Sequence, residues 1–297
     1  MTYSVLGLDP AAGQLGVAVQ SHWLAVGAIV PWAAAGVGVL ATQANSDLAA
    51  GRRGLELLAA SGSAAATIVG LTGDPRAEVS QIAVLDAGGR AAVHTGGRCI
   101  AEAGHRAGPG WSVQANMMLR GTVPDAMAAA WARGTGLALA PRLLSVLRAA
   151  QDEGGDLRGQ QSAAMLIVSR APAQPPLEKI LDVRVDDSTD PLRELARLCQ
   201  LAEAYAEHEH GLELMTADPA AALAHWARAI ALAPGNPELG FWHAIALARA
   251  GQRGQARRLL REVSQDSPGW LALLRRLPAA GLLPDDTGLI AELLDAG

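Results

Sequence analysis

Lysine is nearly absent from this chain. Lys179 is the only one in 297 residues, and arginine carries almost all of the positive charge. With a net charge of −5 and no basic tract, the electrostatic footprint of a nucleic-acid binder is missing. Cysteine is scarce too. Cys99 and Cys199 lie far apart, without histidine or cysteine at ligand spacing, which argues against a zinc site or a disulfide framework. They are expected to be small buried thiols. Gly154-Gly155 lacks the lysine of a phosphate-binding loop, so no nucleotide cofactor is implied. Aromatic residues are few (seven Trp, two Tyr, one Phe), so a core must come from Ala, Val and Leu. The start lacks the charged and apolar regions of a signal peptide, and a cytoplasmic location is expected. Residues 24–41 carry no charge, a length at the lower edge of a membrane span. Gly27, Pro31, Gly36 and Gly38 interrupt that run, which suggests two short buried strands, 25–30 and 37–42, joined by a Pro-Trp-Ala turn. No membrane partner is expected.

What is present is organised around the first hairpin. Two apolar runs, 1–8 and 14–21, flank Asp9-Pro10-Ala11-Ala12-Gly13, a turn signal between strands. Thr2 follows the methionine and enters the strand at once, whereas termini usually fray. Removal of Met1 leaves Thr2 with a free α-amine, which titrates near about 7.7 and can take the proton of the Thr2 hydroxyl. That is the threonine-with-terminal-amine form of nucleophile activation.

Further along, Ser46-Asp47 is placed to cap a helix over 48–60, and a second helix is expected at 61–73. Runs 79–85 and 90–95 alternate around Asp86-Ala87-Gly88-Gly89 as a second hairpin. Strands are expected at 99–106, 111–116, 162–169 and 180–185, with amphipathic helices at 123–133 and 140–153 and a Pro-rich loop at 171–176. Hairpins outnumber crossovers, so the sheets should be antiparallel with helices packed on them.

From Asp190 on, the pattern is helical. Residues 220–235 recur 34 positions later, with Pro234 falling on Pro268, Gly235 on Gly269 and Trp226 on Leu260. That period and the closing proline resemble tetratricopeptide repeats. Trp226, Trp242 and Trp270 are expected in the core of this part. Glu207-His208-Glu209-His210 looks metal-like, but His208 and His210 diverge on a helix, so a solvated face is expected there and no metal.

Residues 2–187 resemble the domain-of-unknown-function family 1028, read as N-terminal-nucleophile (Ntn) hydrolases. The phrases that carry this include Thr-Tyr-Ser-Val at 2–5, Gly-Val-Ala-Val-Gln-Ser-His-Trp at 16–23, Val-Gly-Ala-Ile-Val-Pro-Trp-Ala at 26–33, Ala-Thr-Gln at 41–43, Val-His-Thr-Gly at 93–96, Val-Gln-Ala-Asn-Met-Met at 113–118 and Gly-Gly-Asp-Leu-Arg-Gly-Gln-Gln-Ser-Ala-Ala at 154–164. The resemblance implies an α+β fold: a four-layer αββα Ntn-hydrolase-like sandwich over 1–189, followed by an all-α tetratricopeptide-like module over 190–297. It implies no substrate. A looser similarity to proteasome-type subunits implies roles residue by residue. Thr2 is the nucleophile, backbone N–H groups of Gln43, Ala44 and Asn45 form an oxyanion hole, and Asp156 orients the amine. Gly159 stands where those subunits have a serine, with Ser162 out of step. Their active-site lysine has no counterpart, since no Lys or Arg occurs between Pro10 and Asp47.

Beside these, Ser21, His22, His94, Asn116 and Ser162 are candidates for a substrate pocket, the histidines as proton relays and Asn116 as a donor. Asp186 and Asp187 point to opposite faces of a strand and do not form a dyad. The expected function is an N-terminal-threonine amidohydrolase acting on a small amide or peptide-like substrate. It needs no cofactor, forms a homo-oligomer and meets a protein partner through the repeats. The alternative is a non-catalytic binding protein on the same fold.

Overall fold

The computed structural model describes residues 2–45, 47–173, 179–265, 267–284 and 286–294. The chain divides into two compact units, Met1–Cys199 and Gln200–Gly297.

The first unit begins with the expected hairpin, β1 (Thr2–Asp9) and β2 (Gln14–Ser21). The next stretch differs from expectation. Residues 25–30 are not a strand: Ala25 has φ +52° and Val26–Ala28 form a single 3-10 turn. The expected Pro-Trp-Ala turn is instead strand β3 (Pro31–Ala34), paired with β4 (Gly38–Ala44). Proline has no N–H to offer a ladder, so it is tolerated at the first residue of an edge strand, and β3 is an edge. Helices α1 (Ala50–Ser61) and α2 (Ala64–Thr72) follow. Ser46 lies outside the described residues. Asp47 does not cap α1; its carboxylate accepts the N–H of Ala49, which precedes the helix.

Strands β5 (Ser80–Asp86) and β6 (Ala91–Thr95) form the second hairpin. Strand β7 (Gly104–Gly108) is shorter than the expected 99–106 and starts later; residues 99–103 are turn-like. Then come β8 (Trp111–Asn116), α3 (Val123–Arg133), α4 (Leu139–Asp152), β9 (Ser162–Ser169) and β10 (Lys179–Val185). Every pairing is antiparallel. The strands make a six-stranded sheet in the order β10-β9-β2-β1-β8-β7 and a four-stranded sheet in the order β3-β4-β5-β6.

Strand alternation divides the side chains among three cores. Tyr3, Val5 and Ala18 point to α3 and α4 and pack with Leu143 and Leu147. Leu6, Val17 and Val19 point the other way and meet Val39, Ala41 and Leu85 of the second sheet. Leu40, Ile82 and Val84 cover that sheet's far side against Leu58 and Leu71 of α1 and α2. The layers therefore run helix, sheet, sheet, helix; the central strands are covered on both faces, whereas the edge strands β7 and β10 keep exposed residues.

The second unit is helical. It holds the later part of α5 (Pro191–Leu214), then α6 (Pro219–Leu232), α7 (Pro237–Arg249), α8 (Arg253–Ser264), α9 (Gly269–Leu274) and α10 (Thr287–Leu294). Asp218 and Asn236 accept N–H groups of the first turns of α6 and α7, each just before a proline, the start signal expected of a helix. Trp226 is buried; Trp242 and Trp270 are half-buried against the cluster around Phe241 and Leu260. The division between units falls inside α5 and beyond residue 189, because Leu192 and Leu195 belong to the first unit's core. Among the described residues no helix is long and apolar enough to cross a membrane.

Candidate active site

Thr2 sits in the middle of a sheet, opposite Ser21 of β2 on one side and Asn116 of β8 on the other. It is 3% exposed. Its Oγ1 donates to Ser21 Oγ at 3.1 Å. Its carbonyl oxygen accepts from Gln43 Nε2 and Asn116 Nδ2, each at 3.3 Å. These donors are held by a buried polar network between the two sheets. Gln81 Oε1 accepts from Gln43 Nε2 at 2.7 Å and from Asn116 Nδ2 at 2.9 Å. Ser4 Oγ donates to Gln43 Oε1 and accepts from Gln114 Nε2. Gln81 Nε2 reaches Thr95 Oγ1 and the carbonyl of Ala115. Fully paired buried networks of this kind rigidify what they touch, here the backbone of Thr2.

Thr2 opens onto a cavity of about 500 Å³. Ser21, Gln43, Ala44, Asn45 and Asn116 line it with Thr2. Trp23, Val26, Ile29, Val30, Thr42, Asp47, Leu48, Val79, Arg98 and Ile100 complete the lining and were not foreseen. Apart from Thr42 on β4, they come from loops and short turns whose approach to Thr2 is decided by sheet packing, not by spacing along the chain.

The three residues proposed for the oxyanion differ in what they can offer. The Asn45 N–H donates to Val79 O at 3.1 Å and is committed. The Thr42 N–H donates to Val30 O at 3.1 Å. Successive N–H groups of an antiparallel strand face opposite neighbours, so the Ala44 N–H faces the same side as that of Thr42, past the first residue of β3. Ala44 also has φ +65°, uncommon for a residue with a Cβ. Ala25 and Met117, which adjoin the lining residues Val26 and Asn116, share that left-handed conformation. Strained backbone of this sort gathers at functional sites.

The remaining candidates lie elsewhere. The Asp156 carboxylate accepts the His22 N–H at 3.3 Å and the Arg158 N–H at 2.9 Å, and the Arg158 guanidinium grips both its oxygens. It ties the end of β2 to the 156–161 loop; among the described residues no hydrogen bond joins it to Thr2. The expectation that His22, His94 and Ser162 enter the pocket is corrected. His22 Nδ1 faces Gln160 O, and His94 Nε2 faces Ala77 O at 2.9 Å. Ser162 Oγ donates to Trp23 O and accepts the Val26 N–H, bracing the cavity wall from behind. Neither cysteine is an activated thiol. Burial raises Cys99 and pushes Cys199 up to about 11, the opposite of what a nucleophile needs. Lys179 pairs with Asp182 and is not in the described lining of the Thr2 cavity.

A further correction concerns Glu207-His208-Glu209-His210. His208 is not solvated. It is 6% exposed beside Trp226, and burial lowers its pKa. Glu207 and His210 meet His225 of α6 with their ligand atoms within 4.8 Å of one another, a set that could hold a metal ion. Arg228 Nε already sits 2.9 Å from the Glu207 carboxylate and supplies the positive charge there.

A family model described as "Family of unknown function (DUF1028)" matches residues 2–195. Among solved structures, the crystal structure of protein SPO2555 from Silicibacter pomeroyi, itself assigned to the same family model, is similar. It is 28% identical, with a TM-score of 0.60, over 68% of this chain and 88% of that one. No curated protein matches the chain.

Proposed function

The chain belongs to the DUF1028 family of unknown function, and we propose that it is an amidohydrolase of the N-terminal-nucleophile type, with Thr2 as nucleophile after removal of Met1. The observation that carries this reading is the placement of Thr2. A threonine one residue from the start is clamped by its neighbours on both sides, with its side chain at a walled cavity. The helix–sheet–sheet–helix order of layers supports an Ntn-like sandwich.

In the proposed reaction the Thr2 α-amine accepts the hydroxyl proton as Oγ1 attacks the amide carbonyl. The Ala44 N–H faces the developing oxyanion. The C–N bond breaks, the amine passes its proton to the leaving nitrogen, and water then cleaves the Thr2 ester by the same relay. Ser21 orients Oγ1. Gln43 and Asn116 hold the Thr2 carbonyl and are positioning residues. Asp156 acts at a distance, by fixing His22 and hence the end of β2 beside Thr2. No metal or organic cofactor takes part. The helical unit is assigned to assembly or partner binding, as a tetratricopeptide-like pair of repeats with a capping helix. A second reading, a non-catalytic binding protein, draws on two observations: the cavity has no lysine, and Arg158 engages Asp156.

Intact mass and turnover separate the two. The protein lacking Met1 should hydrolyse members of a panel of short amides. Thr2→Ala should keep the fold and lose at least about a thousandfold in kcat, while Thr2→Ser keeps part of it. Turnover by Thr2→Ala equal to that of the parent protein would move the chemistry elsewhere, and retained Met1 would remove the base.

A further inference from the structure

Among the described residues two charged side chains line the Thr2 cavity, and they are not equivalent. Asp47 is already engaged: Arg76 Nη2, which also binds Asp74, lies 3.3 Å from its carboxylate, and the Ala49 N–H donates to it. Arg98 has no ion pair or side-chain hydrogen bond among the described residues. Its backbone is nonetheless fixed, since its N–H donates to Glu78 O at 2.8 Å and the Cys99 N–H closes a turn onto Gly96 O. An exposed guanidinium is thus held at the cavity wall with its donors unspent.

The apolar side of the cavity is graded. Val26 and Val30 are buried at 1% and 4%, whereas Trp23, Leu48 and Ile100 are exposed at 55%, 70% and 52%. Large apolar side chains gathered at one mouth mark a surface meant to be covered. The volume suits a small organic ligand. From the unspent cation and this apolar gradient together we infer the substrate class: N-acylated amino acids, with the apolar acyl group against Val26 and Val30 and the carboxylate on Arg98. The orientation follows from desolvation. A carboxylate carried inward would lose its water without a partner. At Arg98 it keeps water and gains charge-assisted hydrogen bonds. The scissile amide then lies between the two ends, where Thr2 Oγ1 opens onto the cavity. This inference rests on the amidohydrolase reading for its chemistry, but its recognition half is measurable without turnover.

The probes are N-decanoylglycine and its neutral analogue N-decanoylglycinamide, titrated calorimetrically into full-length Thr2→Ala protein. The acid should bind about tenfold or more tightly than the amide, as expected of a hydrogen bond to a charged group. Adding Arg98→Ala should bring the ratio to about one, Arg98→Glu should invert it, and Arg98→Lys should restore part of it. Thermal melts of each variant check that the fold is kept. Equal binding of acid and amide, or a ratio that survives Arg98→Ala, overturns the assignment. So does binding of neither probe together with a dimer that dissociates on Leu48→Asp, because the rim would then belong to a second copy of the chain. The two readings fail separately. A preserved acid preference with no hydrolysis by the parent protein sinks the hydrolase and leaves the receptor. Thr2-dependent hydrolysis with no acid preference does the reverse.

Discussion

At the residue scale, Gln81 is the hub on which the position of Thr2 depends. It is fully buried, its Oε1 receives both side chains that hold the Thr2 carbonyl, and its Nε2 binds across both sheets. Gln81→Ala should destabilise the first unit by about 2–3 kcal/mol, since Gln43 and Asn116 lose an acceptor and a cavity opens. Urea unfolding checks this, and a change below about 0.5 kcal/mol would mean that water replaces the amide. Thr2 was legible in the sequence because its position beside Met1 has a chemical meaning by itself. Gln43 drew notice only for its backbone. Gln81 and Gln114 drew none, because a polar residue alternating with valine and leucine reads as solvent-facing. Here β5 and β8, which carry them, are covered on both sides, so those polar positions meet one another instead of water. Arg98 escaped for a related reason: nothing along the chain says that the turn after β6 reaches the mouth of the Thr2 cavity.

At the scale of elements, hairpins and helices with strong turn signals were legible almost to the residue, among them β1–β2, β8, α3 and β9. Residues 25–34 were not. Their valines and isoleucine suggested a strand, but the backbone there is pinned from outside. Ala25 N–H donates to Asp186 O, Val26 N–H to Ser162 Oγ, and a Cβ on Gly27 would sit 2.6 Å from Ala164. Tertiary partners outweighed local propensity. The same close packing governs α1. A Cβ built on Gly51 falls 1.9 Å from the Trp32 indole, so the helix lies on β3 only because that residue is glycine. Gly51→Ala would gain about 1 kcal/mol of helix propensity. It should nonetheless destabilise the protein by about 1–3 kcal/mol through overpacking, seen as a lower thermal midpoint. A raised midpoint would show that Trp32 can move aside freely.

At the scale of the whole molecule, the question is where the first unit ends. A boundary at residue 189, drawn where the sequence turns helical, leaves all of α5 with the second unit. The structure puts Leu192 at 4% and Leu195 at 0% exposure within the first unit's core, with Leu198 and Cys199 packed beside them. The family match likewise runs to residue 195. Burying a leucine contributes about 1.5–3 kcal/mol. Losing both therefore costs about 3–6 kcal/mol, a large share of the roughly 5–15 kcal/mol that holds a typical domain together. A chain cut after Cys199 should unfold cooperatively and remain monodisperse. One cut after Thr189 or Asp190 is not equivalent to it, and position 189 is in fact a threonine outside α5. The shorter fragment should melt well below the longer one, or aggregate as the uncovered face of Met165 and Val185 pairs with other copies. Paired melting curves with light scattering decide it. Equal midpoints for the two fragments would mean that the first turns of α5 only rest on a core closed without them, and the boundary would return to the start of the helix.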